Sequence, residues 1–160
     1  MNKNPSFKQL LRNPVQMLAF GFGSGLAKKA PGTMGTLAAV PIYYVVVTFL
    51  ADYYLPILLL VCVVGVWICG QAAKELGVHD HGGIVWDEIA GYLLTMYWVG
   101  FGWQNMLLGF ILFRVFDILK PWPINWIDEK VGGGFGIMLD DLIAALMAAV
   151  CLYGYTSNIA

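Results

Sequence analysis

Charge is what this chain has least of: Asp, Glu, Lys and Arg together supply 12% of its 160 residues, against roughly 25% in an ordinary soluble domain. The shortage is concentrated. Uncharged stretches run for 22 residues from Ala30 to Ala51, 21 from Tyr53 to Ala73, 25 from Ile89 to Phe113 and 19 from Leu142 to Ala160. Each approaches or exceeds the ~20 residues that a helix needs to cross the hydrocarbon core of a bilayer. Cysteine is scarce as well. Cys62, Cys69 and Cys151 all fall within apolar runs, where a thiol acts as a small hydrophobe, so packing is the expected role rather than catalysis or a disulfide. A cleavable signal is not expected, because the first thirteen residues are polar and no short apolar region with a small-residue cleavage site follows them. The glycine-rich stretch at Gly21 to Thr36 lacks the Lys and Ser/Thr ending of a P-loop, and its GFGSG is not the dinucleotide fingerprint.

What the chain has is hydrophobicity, 59% of residues with a mean hydropathy of +0.72, and a one-sided placement of its nine basic residues. If the amino end is cytoplasmic, Lys3, Lys8, Arg12, Lys28 and Lys29 precede the first crossing, and Asp52 sits in a tight outer turn. Lys74 follows the return crossing. A second outer turn within Gly100 to Asn105 then brings Arg114, Lys120 and Lys130 back inside. This threading satisfies the positive-inside rule throughout and leaves Ala160 outside. It predicts an all-α, polytopic membrane bundle of about five membrane helices, forming a single domain over 1–160, with a polar arm at 1–16 along the interface. The first helix, capped by Thr33 or Thr36 and kinked at Pro41, is followed by helices at about Leu55–Glu75, Val85–Val99, Asn105–Leu119 and Ile137–Tyr155.

Nine of the ten carboxylates fall on the cytoplasmic side in this threading. The adjacent pairs Asp87/Glu88 and Asp140/Asp141 abut membrane helices, where an ionisable residue costs at least ~2.5 kcal/mol and is a functional candidate by default. With Asp117 from a third helix, these pairs have the oxygen chemistry to hold one or two Mg²⁺ ions. The plainer reading is that they stabilise helix amino termini through the macrodipole, but that accounts more readily for one carboxylate per helix than for two. Asp128 and Glu129, in a polar DEK connection, read as solvated surface. Arg114, Asp117 and Lys120 recur at three-residue spacing and share a face. Either Arg114 and Asp117 form an intrahelical ion pair, or Arg114 and Lys120 supply cations for a phosphate while Asp117 faces the metal. The glycine-rich stretch could offer backbone amides and the Ser24 or Thr33 hydroxyl to a phosphate, or could serve close helix packing. His79 and His81, flanking Asp80, have no Cys or third His nearby. Zinc is therefore not expected, and proton transfer or phosphate contact competes with a plain polar loop.

Five ordered blocks, GFGSG, PGTMGTLAAVP, GVHDHGGIVWDEIAG, LFRVFDILKPWPI and GGGFGIMLDDLIA, resemble the phosphatidylglycerophosphatase A family, over nearly the whole chain from Asn13 to Tyr153. The resemblance implies an all-helical, Mg²⁺-dependent phosphatase of the bacterial inner membrane, which hydrolyses phosphatidylglycerophosphate to phosphatidylglycerol and phosphate; the threading turns its site to the cytoplasm. The implied partners are a membrane phospholipid substrate and the bilayer itself; no nucleic-acid partner is expected. A phosphomonoester must be neutralised before a nucleophile can approach it. A metal-activated water is the simplest nucleophile, with an aspartyl-phosphate intermediate as the other route. On this reading Asp87, Glu88, Asp117, Asp140 and Asp141 are metal ligands or bases. Lys28, Arg114, Lys120 and His81 are candidates for phosphate binding or leaving-group protonation. Two rivals fit less well. A phospholipid alcohol phosphotransferase needs an Arg after its opening aspartate that DEIAG and DDLIA do not supply. A small cation transporter would place its carboxylates near the bilayer midplane.

Overall fold

The computed structural model describes residues 4–78 and 81–158, so Lys3, His79, Asp80 and Ala160 lie outside the described residues. The architecture is all-helical, with eight α-helices among the described residues: α1 Phe7–Leu10, α2 Pro14–Ala19, α3 Pro31–Phe49, α4 Tyr54–Leu76, α5 Trp86–Met96, α6 Trp103–Leu119, α7 Ile124–Lys130 and α8 Gly133–Ser157. Three of them, α3, α8 and α4 with its leading turn, are long and apolar enough to cross a membrane. The expected pair in the middle exists as α5 and α6, shorter at 11 and 17 residues. The count of about five therefore holds only approximately.

Local chemistry accounts for most of the boundaries. Asn13 accepts from the backbone amides of Val15 and Gln16, with Pro14 in the first helical position of α2. Pro31 opens α3, so the helix begins ahead of both expected caps. Thr36 instead sends its hydroxyl back to the Gly32 carbonyl at 3.0 Å. Gly77, in the left-handed conformation at φ 69°, closes α4. Pro121, which cannot continue a helix, follows Lys120 at the end of α6. The last helix starts at Gly133, four residues before the expected Ile137.

α8 is the central helix. It packs against α4, α5, α6 and α7, while α3 closes over α5 and α6. Two apolar clusters fill the bundle. One is built around Tyr43, Tyr92, Phe113 and Leu152, the other around Phe20, Ile68, Ile84 and Met138. At Gly134 a Cβ would strike the Val66 carbonyl and the Gly70 backbone, so α8 and α4 approach closely only because that position carries no side chain. The amino-terminal arm folds back onto α4, where Asn13 and Gln16 donate to Glu75 Oε2 at 2.7 and 3.0 Å. Short connections make successive long helices antiparallel. The start of α3, the end of α4, the start of α5, the end of α6 and the start of α8 therefore gather at one end of the bundle, and Asp52 lies in the turn at the other.

Candidate active site

Four helices bring their charged residues together at that end. Asp87 and Glu88 sit in the first turn of α5, whose start is anchored by Trp86 Nε1 donating to the Val61 carbonyl at 3.1 Å. Asp140 and Asp141 lie about two turns inside α8. That position removes the amino-terminal macrodipole as a reason for them, since the dipole acts only within the first turn. Asp87, Asp140 and Asp141 are 9%, 7% and 4% exposed. Asp87, Glu88 and Asp141 each bring a carboxylate oxygen to within 4.8 Å of the others, and Asp117 of α6 lies beside Asp141 and Glu88.

The cations divide the acids between them. Arg114 pairs with Asp117 one turn along α6 and with Glu88 Oε1 at 3.7 Å, and its Nη1 reaches the Thr36 hydroxyl at 3.5 Å. Arg114 is thus ion-paired within its helix and also faces a carboxylate of another. Lys120 donates to Asp140 Oδ2 at 2.8 Å and to Asp128 Oδ1 at 2.9 Å. Burial alone would lower the Lys120 pKa, but hydrogen bonds to Asp140 and Asp128 hold it above the ordinary lysine range. Asp128 is therefore more than solvated surface: α7 folds it back onto Lys120. The 100° offset between neighbours on a helix turns Asp141 toward Asp87 and Glu88 and Asp140 toward Lys120.

Asp87 Oδ1, Glu88 Oε2 and Asp141 Oδ2 are buried without a hydrogen-bond donor from the protein. Buried carboxylate oxygens without a partner are costly. The same three residues each bring a carboxylate oxygen within 4.8 Å of the others, and such an all-oxygen hard donor set fits a divalent cation such as Mg²⁺. Gly32, which the sequence reading passed over, completes the wall. A Cβ there would fall on Glu88 Oε1 and about 3.1 Å from Arg114 Nη2. The small-residue spacing of PGTMGT points to close packing there but not to the side chains that arrive.

The other sequence candidates lie around this cluster. Thr33 is on α3 next to Gly32 and shares a groove with Arg114. His81 is buried, its Nδ1 accepting from the Gly83 amide at 3.1 Å and its ring 5.6 Å from that of Phe20. Ser24 turns its hydroxyl to the Phe20 carbonyl at 3.5 Å, and Lys28 is exposed in the connection to α3. The glycine-rich stretch serves close packing, since a Cβ at Gly25 would strike the Gly83 carbonyl and one at Gly35 would lie 2.5 Å from Val85 Cβ. None of the three cysteines forms a disulfide.

Comparison with known proteins identifies the family. The sequence model of the family described as phosphatidylglycerophosphatase A matches residues 17–156. A phosphatidylglycerophosphatase A of Escherichia coli (strain K12) is 49% identical over 146 residues, covering 89% of this chain and 84% of the relative. One of Haemophilus influenzae is 43% identical over 152 residues, covering 94% and 93%. No solved structure matches the chain. A family match over most of the chain, with relatives of this identity along most of their length, establishes that the chain belongs to the phosphatidylglycerophosphatase A family and is a phosphoric monoester hydrolase.

Proposed function

We propose that this chain hydrolyses phosphatidylglycerophosphate to phosphatidylglycerol and inorganic phosphate, with Mg²⁺, at the cytoplasmic face of the bacterial inner membrane. One observation supports the reading above the rest: three carboxylates with unpartnered buried oxygens meet an arginine at one end of an apolar bundle. The basic residues at the same end support a cytoplasmic orientation.

Asp87, Glu88 and Asp141 are the residues that would hold Mg²⁺, which when bound supplies Lewis-acid polarisation of the phosphoryl group. Arg114 presents a planar fork suited to two phosphate oxygens. Its contacts with Glu88 and Asp117 fix the orientation of that fork before substrate arrives, so little reorganisation accompanies the reaction. Asp117, beside Asp141, is the acid nearest both Arg114 and the cluster, and is placed to take a proton from an attacking water. Lys120 does its work through Asp140, neutralising a carboxylate that would otherwise repel the substrate from behind Asp141. The apolar helices around the site keep it at the depth of a lipid headgroup, where a membrane-anchored phosphomonoester resides.

The test is phosphate release from phosphatidylglycerophosphate by the purified protein, run beside ion flux in liposomes. Release with no flux is the expected result. Flux without release would replace the enzyme by a transporter.

A further inference from the structure

Beside the acidic cluster, the outer face of α6 carries a groove that the hydrolytic chemistry leaves unused. It has a volume of about 410 Å³ and is lined by Phe110, Ile111, Val115 and Ile118 together with Thr33 and Arg114. Ile111, Val115 and Ile118 are 47%, 42% and 65% exposed. A run of exposed aliphatic side chains on a helix of this bundle is a surface for hydrocarbon rather than water. From Phe110 to Ile118 the groove follows α6 for roughly 12 Å.

What joins this apolar groove to the acidic cluster is its cation; the groove around Lys74, between the end of α4 and the start of α8, has a cation as well but none of the cluster's residues in its wall. Arg114 belongs to two places at once: it meets Glu88, Asp117 and Thr36 on the side of the cluster and is also part of the groove wall. Its Nε is buried with no hydrogen-bond partner. A second apolar groove, lined by Trp98, Leu146, Ala149, Val150 and Tyr153, lies toward the opposite end of the bundle and has no charged residue in its wall. The occupant whose two ends match the α6 groove is a lipid phosphomonoester, with an anionic head for Arg114 and the Thr33 hydroxyl and a hydrocarbon tail for α6.

We infer that the substrate enters sideways from the bilayer between α3 and α6, laying one acyl chain along Phe110, Ile111, Val115 and Ile118 while its phosphate turns past Arg114 toward Asp87, Glu88 and Asp141. This rests on reading the cluster as a lipid phosphatase site, and it adds the route of entry and the acyl-binding surface.

Two measurements test it. In the first, phosphatidylglycerophosphate carrying a diazirine in one acyl chain is photolysed with the purified protein and the adducts are mapped. Adducts at residues 110–118 are expected. Adducts confined to the groove of Trp98, Leu146 and Tyr153 would overturn the route, and this readout does not depend on turnover. In the second, Ile111→Trp and Val115→Trp fill the groove. The preference for a long-chain over a short-chain substrate, taken as the ratio of the two kcat/KM values, should fall about tenfold, the worth of roughly two buried methylenes. An unchanged ratio in both variants would overturn the acyl assignment. Absence of phosphate release from any substrate by the unaltered protein would instead count against the phosphatase reading, while the adduct map still decides the route.

Discussion

Asp141→Asn should move stability and activity in opposite directions. The side chain is 4% exposed, its Oδ2 has no protein donor, and oxygens of Asp87 and Glu88 lie within 4.8 Å. Two full like charges at that distance repel by about 3.5 kcal/mol at an effective dielectric constant of 20, an upper bound because one of the acids can take up a proton instead. Changing one acid to an isosteric amide relieves that repulsion, so the variant in excess chelator should be as stable as the parent or more stable, by about 1 to 3 kcal/mol. With Mg²⁺ the order should reverse. A ligand at a hundred times its Kd stabilises the parent by about 2.7 kcal/mol, and the variant loses an oxygen ligand together with a charge. Turnover should fall by about two orders of magnitude or more, because the lost charge is one on which the chemistry depends. The assays are phosphate release at saturating Mg²⁺ and thermal unfolding in detergent with chelator or with Mg²⁺. Near-parental phosphate release by both Asp87→Asn and Asp141→Asn would refute the site.

Other outcomes follow from the same geometry. Chelation should abolish turnover, Mg²⁺ should restore it and Mn²⁺ should substitute, since it accepts the same oxygen ligands; full turnover in excess chelator removes the metal. Gly32→Ala should cost about 1 to 3 kcal/mol by overpacking and depress kcat, because its methyl meets Glu88 and Arg114; unfolding and kinetics together check this. Asp128→Asn should cost no more than about 1 kcal/mol, being half-exposed, whereas Lys120→Met should cost more by stripping buried Asp140 of its cation. Equal losses in the two variants would contradict the division of roles. In intact cells a cysteine-directed label should reach position 52 and not position 120, and the reverse pattern would invert the orientation.

The helices and their order were legible in the sequence because the bilayer imposes a simple rule: ~20 uncharged residues per crossing, with charges at the ends. Composition alone therefore separated α3, α4 and α8, and the polar turn at Gly100 to Asn105 divided α5 from α6. The adjacent acids were also visible as candidates, since carboxylates abutting apolar runs are too costly to be incidental. Which acid of each pair faces the cluster was not legible. A difference of a few residues in where α8 begins decides whether Asp140 and Asp141 cap a helix or lie inside it, and the first turn of α8 lies against α4 through Gly134. Only the packing of α7 against α8 made Asp128 a partner of Lys120, because that contact joins the residue that ends α6 to side chains on two other helices. Gly32 shows the limit most clearly. Its role lies in having no side chain where Glu88 and Arg114 arrive from α5 and α6, and no local pattern around residue 32 encodes what two other helices will place against it.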